Sequence, residues 1–286
     1  MTPGFERLRR SAAACAVVTA ICVTNASAAE DASAWNGDSR SAIRLIAGSW
    51  SGEQAAPLRA GVEMRLKPGW HTYWRYPGDA GVPPRFDFSG SRNLKALHML
   101  WPAPRRIREH GLSVIGYTKD LILPLIIVPQ DRAAPVTLHL AIDYAVCELL
   151  CLPQQAMTEL VLAQTRSSRD AALAEAQARV PRKQALGDGS TFAVRAIRRE
   201  ESSARSRAVI DLQAPPGASV DLFAEGPSAD WALPLPTLQG EPSTPGLQRF
   251  AFDLDGAPPG AKYEGVHITI TAVTAEDAIE VTAPLD

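Results

Sequence analysis

Short runs of alternating apolar and polar residues, separated by frequent prolines and glycines, cover most of the chain. In one run Val62, Met64 and Leu66 alternate with charged residues, and this period of two predicts a strand with one buried face. Many short strands between turn residues are typical of a β-sandwich or barrel. The predicted strands are Ser41–Ser49, Ala60–Leu66, His71–Tyr76, Leu94–Leu100, Leu121–Val128, Thr137–Val146, Thr158–Ala163, Thr191–Ile197, Ala208–Leu212, Ser219–Ala224, Gln248–Leu254, His267–Val273 and Ile279–Ala283.

One helix interrupts this β pattern. Ser168 is in position to cap a helix over Arg169–Val180, which is rich in alanine and is stopped by Pro181. We therefore predict an all-β protein with two β-domains of the sandwich or barrel type. The first occupies residues 36–165 and the second residues 188–286, with a short helical linker over 166–187.

The N-terminus has the pattern of an export signal. A basic segment with Arg7, Arg9 and Arg10 precedes the small and apolar run Ser11–Val23, and Ala26-Ser27-Ala28 follows as a cleavage pattern. The apolar run is shorter than the about 20 residues that cross a bilayer, although an uncleaved anchor is the alternative. We predict a signal peptide over residues 1–28, a periplasmic mature protein and no membrane span in it.

Charge and motifs exclude several function classes. The formal net charge is −2 at pH 7, and no block of basic residues indicates nucleic acid or an anionic membrane as partner. The sequence also has no phosphate-binding glycine loop and no evident serine, histidine and acid arrangement. No cofactor is predicted.

The cysteines carry the most informative chemistry. Cys15 and Cys22 lie in the predicted signal peptide, so the mature chain keeps only Cys147 and Cys151. A disulfide needs Cα atoms within roughly 7 Å, whereas four residues along a straight strand span about 13 Å. The pair can close only if Glu148–Leu150 leave the strand in a turn or a bulge.

A ring this small stabilises a fold less than a long loop does, which favours a redox pair over a structural bridge. The structural disulfide remains an alternative. A metal site is not predicted, because the cysteines would need partners such as His110 or His139 and no second ligand pair has a recognisable spacing. Glu148 beside Cys147 disfavours a thiolate there.

Two further segments have open interpretations. Residues 68–84 are unusually aromatic, which is typical of core filling and less often of a binding surface; His71 is interpreted as a packed histidine. Residues 109–117 are interpreted as a surface loop. The more specific hypothesis is that they form a hinged cap that covers the cysteines. The predicted cap residues are Leu112, Val114 and Ile115, with Gly111 and Gly116 as flexible flanks.

An ordered set of motifs resembles one family, the N-terminal periplasmic domain of the thiol:disulfide interchange protein DsbD, especially its ScsB-like branch. The resemblance covers residues 41–165, and the matching segments are Lys67–Trp74, Pro77–Gly81, Trp101-Pro102, Gly116-Tyr117 and Tyr144–Pro153. It implies an immunoglobulin-like sandwich, so the predicted fold becomes two immunoglobulin-like sandwiches joined by the short helical linker. In this family the cysteine pair, here Cys147 and Cys151, takes electrons from a thioredoxin-like module. Disulfide isomerases and thiol proteins of cytochrome c biogenesis are the clients that it implies.

The resemblance also sets expectations about partners. Full-length members continue into a membrane electron-transfer region and a thioredoxin-like domain, and the sequence stops at Asp286 with neither. A separate membrane thiol transporter is therefore expected as electron source, and the activity would be that of a protein-disulfide reductase component. The alternative is a non-catalytic adaptor or copper-stress binding module with a structural disulfide.

Overall fold

The fold is known from a computed structural model, which describes residues 1, 30–50, 57–109, 111–163, 166–201, 206–240, 244 and 246–285. Almost all of the predicted signal peptide, residues 2–28, lies outside these ranges, and so does His110. In the described part of the chain, every helix is too short or too polar to span a bilayer.

Within the described residues, eleven strands form the first sandwich. They are β1 (Asn36–Gly37), β2 (Ser41–Ala47), β3 (Leu58–Leu66), β4 (His71–Gly78), β5 (Arg85–Asp87), β6 (Leu94–Met99), β7 (Arg105–Glu109), β8 (Leu112–Tyr117), β9 (Leu121–Pro129), β10 (Val136–Cys147) and β11 (Cys151–Leu162). One sheet has the order β1-β2-β3-β9-β6. The other has the order β11-β10-β4-β8-β7, with β5 also paired to β10.

The connector helix α1 (Asp170–Ala178) packs against β3 and β9 of the first sandwich. Eight strands follow in the second sandwich: β12 (Arg182–Lys183), β13 (Ala193–Glu201), β14 (Ser206–Gln213), β15 (Asp221–Glu225), β16 (Thr237–Leu238), β17 (Leu247–Asp253), β18 (His267–Val273) and β19 (Ala278–Pro284). A short 3₁₀ helix covers Leu254–Gly256. The two sheets have the orders β12-β19-β18-β15 and β13-β14-β17-β16.

This architecture confirms the predicted all-β fold with two immunoglobulin-like sandwiches and one helix between them. The prediction missed the short strands β1, β5, β7, β8, β12 and β16. Residues 109–117, which contain β8, had been assigned to a loop. The prediction also placed the start of β11 at Thr158, whereas the strand begins at Cys151. Ser168 does not cap the helix, because its hydroxyl and backbone NH both contact the Asp31 carboxylate; Arg169 is the N-cap residue.

The two sandwiches are in contact through β4. Trp74 is fully buried and its ring lies 5.9 Å from that of Phe223 in the second sandwich. The neighbouring Arg75 donates hydrogen bonds of 2.8 and 2.7 Å to Glu225 and of 2.6 Å to Glu280. Since β4 also borders the cysteine pair, the second sandwich supports the strand that carries part of the site.

Candidate redox site

Cys147 and Cys151 form a disulfide across the tip of the β10–β11 hairpin. They are directly opposite each other in the antiparallel register, and their Cα atoms lie 4.1 Å apart. Glu148–Leu150 form the turn, as the spacing of the cysteines required. Pro153 does not end the strand, since it lies within the edge strand β11, where a missing NH is tolerated.

The two cysteines differ in access. Cys147 is fully buried and packs with Tyr73, Val114 and Ala145. Cys151, at the start of the edge strand, is exposed. An incoming thiolate can therefore reach the sulfur of Cys151 and not that of Cys147.

Alternation along β4 places two polar side chains beside the sulfurs. Trp70 and Trp74 face the core between the sheets, so the intervening His71 and Tyr73 face the opposite side of the sheet. His71 pairs with Cys147 across the strands. The Tyr73 hydroxyl lies 2.9 Å from Cys147 Sγ and 3.2 Å from Cys151 Sγ.

The Tyr73 hydroxyl remains protonated at physiological pH. Burial, followed by the nearby negative charge of Glu109, raises its pKa to about 12. The phenol is thus a hydrogen-bond donor throughout the neutral range. Gly81 makes room for its ring, because a Cβ at that position would lie 2.3 Å from a Tyr73 ring carbon.

Glu109, the last residue of β7, brings a carboxylate to the same place. Its Oε1 lies 3.3 Å from Cys151 Sγ, and its Oε2 lies 3.3 Å from both the Tyr73 hydroxyl and His71 Nε2. The Glu109 side chain is only 12% exposed. A carboxylate in this position can accept a proton from a Cys151 thiol, but it opposes an additional negative charge on the sulfur.

An apolar surface surrounds the exposed sulfur. A hollow of about 310 Å³ beside Cys151 has a mostly apolar lining, made of Tyr73, Ala80, Gly81, Val82, Glu109, Leu112 and Ala145. Leu149 and Leu150, in the turn between the cysteines, are 77% and 75% exposed. Exposed apolar residues grouped at a reactive sulfur are typical of an interaction surface.

Comparison with known proteins relates the first sandwich to a family. Residues 46–163 match the family model described as thiol:disulfide interchange protein DsbD, N-terminal. Over these residues the first sandwich is similar to DsbD N-terminal domains. The family and the Cys147–Cys151 disulfide together support a thiol–disulfide exchange module.

A solved structure extends the likeness to the second sandwich. The N-terminal periplasmic domain of ScsB from Proteus mirabilis matches 89% of this chain and 98% of its own length, with a TM-score of 0.69 and 17% identity. At this identity the likeness establishes the fold alone. No curated protein matches the chain.

The three predicted cap residues of this DsbD-type domain lie in different surroundings. Leu112 is 48% exposed at the rim of the hollow, and Val114 is fully buried against Cys147. Ile115 points to the other face of β8 and packs in the sandwich core, so it cannot cover the sulfurs. Strands β7 and β8 pair as a hairpin beside the disulfide, and movement of Leu112 and Val114 away from the sulfurs on partner docking remains a prediction.

The predicted hinge at Gly116 is also corrected. Gly116 lies inside β8, opposite Tyr73, and a Cβ there would lie 2.0 Å from the carbonyl oxygen of Thr72. This glycine allows β8 and β4 to approach closely. Gly111 is in the turn of the hairpin with a φ of 85°, a backbone conformation that favours glycine.

Sequence reasoning missed the site roles of Tyr73, Glu109 and His71. Tyr73 had been assigned to core filling, His71 to packing and Glu109 to the end of a loop. The alternation Trp70-His71-Thr72-Tyr73-Trp74 was the available signal, because the two tryptophans mark the core face and leave His71 and Tyr73 on the other face. Glu109 has no comparable signal, since only sheet pairing brings it to the cysteines.

Proposed function

We propose that this protein exchanges disulfides with thioredoxin-like proteins of the periplasm through the Cys147–Cys151 pair. The observation that carries the proposal is the arrangement of the pair, with one sulfur exposed in an apolar surface and the other buried beside a hydrogen-bond donor. A bridge that only stabilised the fold would need neither feature. The proposed compartment rests on the predicted signal peptide and on the periplasmic origin of the ScsB domain.

Reduction of the pair begins at Cys151. A partner thiolate attacks Cys151 Sγ, the bond between the two sulfurs breaks, and its electron pair remains on Cys147 Sγ. The second partner thiolate then attacks the partner's own sulfur in the mixed disulfide and releases Cys151. Two electrons and two protons have passed to this protein, and the partner leaves as a disulfide.

Tyr73 stabilises the leaving sulfur in the first step. Its hydroxyl, 2.9 Å from Cys147 Sγ, donates a hydrogen bond to the thiolate that forms in the buried position. In the reverse direction, a reduced Cys151 attacks a client disulfide while Glu109 accepts its proton. Cys147 then resolves the mixed disulfide, so the same residues serve electron flow in both directions.

Single-cysteine variants test the proposal. We expect Cys147→Ser, which keeps the exposed thiol and lacks the resolving one, to accumulate a one-to-one mixed disulfide with a bacterial thioredoxin that lacks its own resolving cysteine and carries thionitrobenzoate on the other cysteine; the thionitrobenzoate leaves as the free thiolate. Cys151→Ser should accumulate much less, because its remaining thiol is buried. The complexes are measured by non-reducing electrophoresis and intact mass, with the Cys147→Ser/Cys151→Ser double variant as the control.

The adaptor alternative has a distinct outcome. It predicts no mixed disulfide with either variant and a reduction potential below about −300 mV, as for structural bridges. Trapping by both variants to the same extent would contradict the assignment of Cys151 as the attacked sulfur.

A second variant tests the role of Tyr73. Tyr73→Phe removes the hydroxyl and keeps the ring, so the buried Cys147 thiolate loses a hydrogen bond worth about 1.5 kcal/mol. We expect reduction of the disulfide by dithiothreitol to slow by about tenfold. Stopped-flow measurement of the reduction rate tests this expectation, with Tyr263→Phe in the second sandwich as the matched control. Equal reduction rates in the two variants would exclude a role of the Tyr73 hydroxyl in stabilising the leaving sulfur.

A further inference from the structure

Four side chains with metal-binding atoms meet at the cysteine pair. His71 Nε2, a carboxylate oxygen of Glu109 and Cys147 Sγ all lie within 4.8 Å of one another. Cys151 Sγ adds a fourth potential ligand, 3.3 Å from Glu109 Oε1. These residues come from β4, β7, β10 and β11, so their proximity is a product of sheet pairing.

The chemistry of this set matches a zinc site. Two thiolates, one imidazole and one carboxylate are ligands that Zn²⁺ takes in tetrahedral geometry. With bonds of about 2.3 Å to sulfur and about 2.0 Å to nitrogen or oxygen, neighbouring ligand atoms are about 3.3–3.8 Å apart. His71 Nε2 and Glu109 Oε2 are already 3.3 Å apart.

The surroundings favour binding because they hold the ligands in place. The side chains of His71 and Glu109 are 7% and 12% exposed, and Cys147 is fully buried. Ligands that are fixed before the ion arrives lose little side-chain freedom on binding.

We propose that the reduced form of this protein binds one Zn²⁺ ion through Cys147, Cys151, His71 and Glu109. The inference goes beyond disulfide exchange and rests on the proposed function only in requiring that the pair can be reduced. A dithiol gives two electrons and two protons to the disulfide and becomes oxidised itself. The two thiols then release their protons as the ion binds to the sulfurs.

The oxidation state of the pair decides whether the ion binds. In the disulfide the two sulfurs are bonded to each other, so they cannot both bind the metal as thiolates. After reduction they can separate to the about 3.7 Å that a tetrahedral site needs. The bound ion occupies both thiolates, which protects them from oxidation and stops them from attacking a partner until the ion is removed.

Tyr73 is close to both sulfurs but is not one of the proposed ligands. Its neutral hydroxyl can donate a hydrogen bond to a metal-bound Cys147 sulfur, as groups around metal ligands commonly do. Tyr73→Phe therefore changes the same pocket and leaves the four ligands intact.

Metal titration of the reduced full chain tests the proposal. The protein is reduced, separated from the reductant under anaerobic conditions and titrated with Co²⁺. The thiolate-to-cobalt charge-transfer bands and the d–d bands of tetrahedral Co²⁺ report which ligands bind. Zn²⁺ is then added to displace the cobalt. We expect one equivalent to bind to the reduced chain and none to the oxidised chain. His71→Asn and Glu109→Gln should each weaken Zn²⁺ binding at least about tenfold.

Matched controls separate loss of a ligand from other effects. Glu148→Gln removes the same charge next to Cys147, and His98→Asn replaces a histidine of the other sheet. We expect both controls to keep Zn²⁺ affinity within about threefold of the unsubstituted chain, well short of the loss in His71→Asn and Glu109→Gln. Far-ultraviolet circular dichroism of each oxidised variant checks that it has folded.

Three results would overturn the site. One is absence of tetrahedral cobalt absorption in the reduced chain, and another is undiminished affinity in His71→Asn and Glu109→Gln. The third is an equal loss in Glu148→Gln and His71→Asn, which would indicate a general disturbance of the region around the cysteines. Because the titration uses no protein partner, failure of mixed-disulfide trapping leaves its outcome unchanged.

Discussion

Replacing Arg75 by methionine is expected to lower the free energy of unfolding by about 2–4 kcal/mol. Burial by itself lowers the pKa of the Arg75 guanidinium, but its hydrogen bonds and ion pairs with Glu225 and Glu280 outweigh burial and raise the pKa overall. Methionine keeps most of the side-chain volume and removes the charge. The two carboxylates, only 17% and 15% exposed, then lose their partner at the contact between the sandwiches.

Urea denaturation followed by tryptophan fluorescence measures this effect. Arg207→Met is the matched control, because its ion pair with Glu200 lies on the surface, with side chains 48% and 43% exposed. We expect the control to lose about 1 kcal/mol or less. Equal losses in the two variants would show that the contact between the sandwiches contributes little to stability.

Replacing both Leu149 and Leu150 by serine is expected to slow exchange with a thioredoxin-like protein by about 30-fold, the effect of losing about 2 kcal/mol of contact energy. These leucines lie in the turn that joins the two cysteines and are largely exposed. A protein partner that reaches Cys151 must cover this turn. A small thiol has no such contact, so we expect reduction by dithiothreitol to stay within about twofold of the unsubstituted rate.

The prediction is tested by the ratio of the exchange rate with the thioredoxin-like protein to the reduction rate with dithiothreitol. Leu238→Ser is the control, since this leucine is 55% exposed on β16 of the second sandwich. The control should change neither rate. If reduction by dithiothreitol slows to the same extent, the substitutions in the turn have altered the disulfide itself. If exchange with the thioredoxin-like protein is not slowed, the partner does not contact this turn.

The local pattern of the sequence was sufficient to predict most of the longer strands and the cysteine pair. Alternation in Val62–Leu66 and Leu138–Ile142 predicted strands that the structure contains, since a half-buried strand requires a period of two in its own residues. The spacing of Cys147 and Cys151 required a turn between them, because chain geometry alone sets that distance. The short strands β7 and β8 were missed, as burial of Val114 and Ile115 depends on neighbours distant in sequence.

The surroundings of the sulfurs were decided by tertiary structure. Glu109 is more than thirty positions from either His71 or Cys151, and the order β11-β10-β4-β8-β7 brings all three together. The same sheet pairing buries Cys147 and leaves Cys151 at an exposed edge. The local sequence around the two cysteines gives no sign of this difference in exposure. By itself the sequence determined most of the longer strands and which cysteines can pair. Sheet pairing over long separations determined which side chains surround those cysteines, because such contacts arise from the packing of whole strands and leave no local period in the chain.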